Sequence, residues 1–88
     1  MPPDDPRPVA LGLVESELDR LRGLGPAALR SLLAHSPVEH EAEGIVVATR
    51  VQAEGERLLV LVDARRGRRM LATGGFSMAA DGTTHTPH

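Results

Sequence analysis

Eighty-eight residues with a formal net charge of −2 are one domain's worth of chain, long enough to bury a single modest core without metals or disulfides. There is no cysteine, which excludes thiol catalysis, disulfide staples and Cys-based zinc sites, and the sole aromatic is Phe76, which removes the stacking platform used by common single-strand RNA and carbohydrate binders. All ten basic residues are arginine, and with an overall acidic balance any nucleic-acid contact must come from a local patch.

Residues 1–8 hold four prolines and two aspartates, a composition that resists helix and sheet and predicts a flexible arm. The start has neither a basic n-region nor an apolar h-region, and no apolar run approaches the ~20 residues of a membrane helix. A cytoplasmic protein without membrane contact is the expectation.

From Val9 the apolar positions Leu11, Val14, Leu18 and Leu21 step by three, four and three, one face of a helix that ends near Arg22. Gly23 suits the left-handed position that closes a helix, and Pro26 suits the first turn of the next. The second helix is predicted over 26–35, burying Ala28, Leu29, Leu32 and Leu33, with Ser36-Pro37 as its stop.

After an acidic connector, Val38 to Glu43, the period changes to two. Gly44 to Gln52 places Ile45, Val47, Thr49 and Val51 on one face of a half-buried strand. Arg57 to Ala64 is apolar on both faces and is predicted to lie centrally in the sheet. Arg69 to Thr73 forms a third strand, with Gly74-Gly75 as a bulge or break before Phe76-Ser77-Met78, and Gly-centred links at Gly55, Gly67 and Asp81-Gly82 make hairpins. The expected fold is α+β: an N-terminal αα-hairpin (helices within 9–35) packed on a three- to four-stranded antiparallel β-meander (44–79). Residues 9–79 make up the single domain, and 80–88 form a short edge strand or a disordered tail.

The run Leu21-Arg22-Gly23-Leu24-Gly25-Pro26-Ala27-Ala28-Leu29-Arg30 raises a functional possibility. Over Leu18 to Ala34 it resembles the helix-hairpin-helix motif of DNA-binding repair and recombination proteins. The resemblance implies backbone amides of Gly23, Gly25 and Ala27 on a DNA phosphate, with Leu24 buried as the hairpin anchor and Arg22 and Arg30 flanking the site. Two glycines admit close approach of an anion, and helix N-termini favour one. The sequence departs from the family where Arg22 replaces a frequent proline and Ala27 a frequent basic or hydroxyl residue. The same residues also make an economical helix-reversing turn that binds nothing.

A second feature is Arg65-Arg66-Gly67-Arg68-Arg69, four arginines around one predicted β-turn, suited to bidentate phosphate contacts or to keeping a sheet edge solvated. Two functions are therefore expected of this chain. The first is a small non-enzymatic protein that contacts the nucleic-acid backbone non-specifically, DNA ahead of RNA, through Arg22, Gly23, Gly25, Ala27, Arg30, Arg65, Arg66, Arg68 and Arg69. The second is an accessory subunit that dimerises or docks on a larger protein through its sheet, since uncovered edges and apolar faces are otherwise liabilities.

No serine has a nucleophile's surroundings and Gly74-Gly75 lacks a phosphate loop's lysine and hydroxyl, so no catalytic residue is nominated. His35 with Glu39-His40-Glu41, and His85 with His88, fall short of a convergent ligand set, so neither metal nor cofactor is expected.

Overall fold

The computed structural model describes residues 5–85. Helix α1 spans Pro6–Arg22, helix α2 Gly25–Ser31, and a 3-10 turn Leu32–His35 leads into five strands: β1 Val38–Ala42, β2 Ile45–Glu54, β3 Arg57–Arg66, β4 Arg69–Met78 and β5 Thr84–His85. The strands form one antiparallel sheet in sequence order, β1-β2-β3-β4-β5, with the doubly apolar β3 at its centre. The fold is α+β, with five strands rather than three or four.

α1 starts three residues earlier than its apolar spacing predicts. Asp5 takes the N-cap and accepts from the Arg7 amide at 3.0 Å, and Pro6 opens the first turn, where a missing N–H costs nothing. Part of the expected arm is thus helical, while its first four residues lie outside the described residues. The buried stripe is Ala10, Val14, Leu18 and Leu21, and Leu11, expected on it, is 48% exposed. α2 is shorter than expected, and only Leu29 on it is fully buried.

The acidic connector turned out to be strand β1. Its exposed side chains conceal a regular ladder in which Val38 pairs with Thr49 and Ala42 with Ile45. Ser36, just before it, accepts the Val51 amide on its hydroxyl at 3.1 Å and so prolongs the pairing by one bond. The β1–β2, β2–β3 and β3–β4 links are two-residue hairpin loops, and at Gly67 the positive φ of 60° is the conformation that a tight turn between right-twisted strands demands. At the far edge only β5 pairs with Ser77 and Met78; Thr86 to His88 lie outside the described residues.

Alternation along β2, β3 and β4 sends Ile45, Val47, Val51, Leu58, Val60, Val62, Ala64, Phe76 and Met78 to the face under the helices, where they pack with α1 and with Leu29. Gly74-Gly75 is neither bulge nor break. The irregularity lies between Ala64 and Arg65, opposite Leu71, and β4 runs through the glycines unbroken. They serve close approach: a Cβ on Gly74 would sit 2.9 Å from Leu18 Cδ1 and 3.2 Å from Val14 Cγ1 of α1, and one on Gly75 would sit 2.6 Å from the Val60 carbonyl.

Two outcomes test this account. Gly75→Ala should lower stability by about 1–3 kcal/mol in a denaturant melt, because its methyl meets rigid backbone, and by more than Gly74→Ala, whose neighbours are side chains that can shift. At Asp5, hydrogen bonds from the Arg7 side chain and amide lower the carboxyl from 3.8 to about 2. A depressed acid contributes stability that is present above its unfolded value and lost as pH falls through the folded one. Protection of the Arg7 amide from exchange, corrected for the intrinsic pH dependence, should therefore fall between about pH 4 and 2, and Asp5→Asn should abolish that step.

Candidate functional site

The two basic features occupy opposite ends of the molecule. Around the start of α1, Asp5, Pro6 and Val9 line a cleft of about 300 Å³ with Glu43, Ile45 and Arg66, so the arginine tip of β3–β4 lies at this end. Val14 and Leu18 then pass over Gly74, and Arg22 lies over Phe76. Pro26 reaches the β4–β5 loop, where its Cδ is 3.8 Å from a Cβ built on Gly82. A 17-residue helix spans roughly 25 Å, and that length separates the glycine turn from the arginine tip. A single phosphate backbone lying flat on one surface does not meet both at close quarters.

At the glycine turn, the amide of Gly23 donates to Asp19 O at 3.3 Å and that of Leu24 to Leu21 O at 3.1 Å, so the first of the three implied phosphate donors already closes α1. Gly23 is right-handed (φ −73°), and it is Gly25 that takes the left-handed conformation (φ +82°), letting the chain reverse before Pro26. Leu24, implied to be a buried anchor, is 40% exposed. Ala27 sits in the first turn of the seven-residue α2 with an exposed side chain, and Arg30 is exposed near its end.

Arg22 serves the fold. Its guanidinium carbon lies 5.2 Å from the centroid of the fully buried Phe76 ring, and Nη1 donates to Asp19 at 3.0 Å. A cation over an aromatic face, with its charge balanced one turn back, clamps the end of α1 onto β4.

At the tip, the hairpin brings in acids that are distant in sequence. Arg65 donates to Glu39 of β1 at 2.6 Å, across the intervening β2. Arg66 shares its cleft with Asp5 and Glu43. Arg68 and Arg69 are exposed and make no ion pair within 4.0 Å among the described residues. The tip is therefore a mixed-charge surface in which Arg66, Arg68 and Arg69 make no ion pair within 4.0 Å among the described residues.

The remaining surface is the uncovered face of the sheet. All three helical segments pack on the inner face, so the other face of the sheet carries no element among the described residues. Counting alternate residues from the core positions, that face presents Val46, Ala48, Arg50 and Gln52 from β2 and Leu59, Leu61, Asp63 and Arg65 from β3. β4 adds Met70, Thr73, Gly75 and Ser77. In its middle, Asp63 Oδ1 is buried with no hydrogen-bond partner; Thr73, directly opposite, donates instead to the Val62 carbonyl at 3.3 Å. The alternation of RLLVLVDA pointed to this face, but not to the orphaned oxygen. Among the described residues no three His, Cys, Asp or Glu side chains converge as metal ligands, and His88 lies outside them.

Arg22→Ala should lower stability by about 0.5–2 kcal/mol through loss of the contact with Phe76, whereas Arg30→Ala should stay within about 0.5 kcal/mol of wild type. Thermal melts of both variants check this, and equal, small effects would remove Arg22 from the packing of α1 on β4.

Comparison with family models, with curated proteins and with solved structures finds no match for this chain.

Proposed function

We propose that this chain is a non-enzymatic interaction module that associates with protein through the outer face of its sheet. The observation that supports it is the asymmetry of the fold. Every helix among the described residues packs on one face, and the other offers Val46, Leu59, Leu61 and Met70 around a polar centre. Apolar surface of this kind, rimmed by charge, is characteristic of association sites. A cytosolic place, in keeping with a cysteine-free chain, belongs to the same proposal.

Backbone contact with DNA or RNA is the second reading, and exposed Arg68 and Arg69 are what favour it. It is the weaker of the two because Arg22, Arg65 and the Gly23 amide have partners within the chain. No helix among the described residues is long and apolar enough to cross a membrane.

Photo-crosslinking residues placed singly at Leu61, Arg68 and, as a control on the exposed side of α1, Glu15 separate the readings. Capture of a protein chain from Leu61 alone is the expected result. Capture of nucleic acid from Arg68, with nothing from Leu61, would replace the first reading with the second.

A further inference from the structure

The outer face has the charge pattern of a surface that fits itself. Asp63 on β3 is half-buried and neither of its carboxylate oxygens has a hydrogen-bond or ion-pair partner among the described residues, Oδ1 being occluded, so the charge is left without compensation within the chain. Arg50 on β2 is exposed and makes no ion pair among the described residues. The register puts Arg50 opposite Leu61 and Asp63 opposite Ala48, so the two charged residues stand on one diagonal of a four-residue square, with Ala48 and Leu61 on the other. A positive and a negative group flanking an apolar centre are what an isologous contact needs, because a two-fold operation exchanges them.

We propose, building on the sheet-face reading above, that the outer face binds a second copy of this chain, with Arg50 of each copy donating to the Asp63 carboxylate of the other. A two-fold axis that swaps these positions lies between the sheets and runs close to Ala48 and Leu61. The two leucines then meet near the centre, and Leu59 and Val46 pack around them. An axis so inclined to the strands makes the two sheets cross steeply, the orthogonal class of sheet packing. Glu39 and Glu41 of β1 share this face beside Ala48 and Val46, and Glu39 brings its own countercharge, Arg65 of the same chain at 2.6 Å, so that it does not compete for Arg50.

Size is consistent with a second copy as occupant. Four strands about 4.8 Å apart, each contributing roughly six residues of 3.3 Å rise, cover about 400 Å² in projection. With side-chain relief that is the lower end of what specific association buries, so a dimer of micromolar affinity is expected, with the reciprocal charge pairs fixing its geometry.

Sedimentation velocity over a range of micromolar concentrations, with circular dichroism melts of each variant, tests the pairing. Wild type is expected to dimerise with rising concentration. Arg50→Asp and Asp63→Arg should each weaken association by about tenfold or more while remaining folded, and the double swap Arg50→Asp/Asp63→Arg should recover it. Leu61→Glu should be monomeric. The double swap keeps the test decisive if one single variant folds poorly, since reciprocal pairing alone predicts its recovery. Dimerisation of both single variants at wild-type strength, or a double swap no better than the singles, would overturn the pairing. A wild type that stays monomeric while Leu61 still crosslinks to a different chain would overturn self-association and leave the docking reading standing. A monomer with no crosslink would sink both.

Discussion

The closeness of α1 to β4 is the constraint on which the rest of this structure depends. Gly74 lacks the Cβ that would otherwise collide with Leu18 and Val14 of α1, and Gly75, on the outer face, lacks the one that would meet the Val60 carbonyl of β3. The helix can then settle deep enough for Ala10, Val14 and Leu21 to lose essentially all contact with solvent. Close packing of this kind is intolerant of added volume, which is why a small residue is needed at both positions. Phe76, next in the strand, fills the space beside the glycines and gives Arg22 a ring to lie on. The direction of α1 along β4 follows, and with it the placement of the helix start at the arginine tip and the helical turn at the other end.

That placement governs the electrostatics. Along the sequence, Arg65 to Arg69 form an isolated basic run, with Asp63 as the nearest acid. An antiparallel sheet in sequence order brings β1 within reach of β3 across one strand, and the β1–β2 loop beside the start of α1. Glu39, Glu43 and Asp5 arrive next to the arginines in this way. Charges that look like a binding patch in one dimension are then partly matched within the molecule. Exposed pairs of this sort contribute little stability, but they lower the local potential available to an external anion.

The sheet also decides what is left over. One long helix, a two-turn helix and a 3-10 turn supply enough apolar surface to cover one face, and nothing among the described residues covers the other. Leu59 and Leu61 are therefore only partly buried, and Asp63 Oδ1 lacks a donor. Asp63 Oδ1 is thus a buried side-chain acceptor on that face without a donor among the described residues.

The periods of the sequence were enough to establish the α+β class, the helix that carries Val14, Leu18 and Leu21, the alternation from Ile45 to Val51, and the central position of the doubly apolar strand. These are local properties, because side-chain direction repeats with backbone geometry wherever the element lies. β1 was hidden because its side chains are polar and its strand character rests on backbone bonds to β2, which no composition records. The two glycines were ambiguous for the same reason: alone they indicate a break, and only the helix over Gly74 and the β3 backbone beside Gly75 show that they make room. Tertiary structure alone set the two basic features at opposite ends, gave Arg22 to Phe76 and Arg65 to Glu39, and left Asp63 Oδ1 without a partner. Contacts between residues far apart in the chain are set by how the elements pack, and the spacing of residues along the chain carries no record of them.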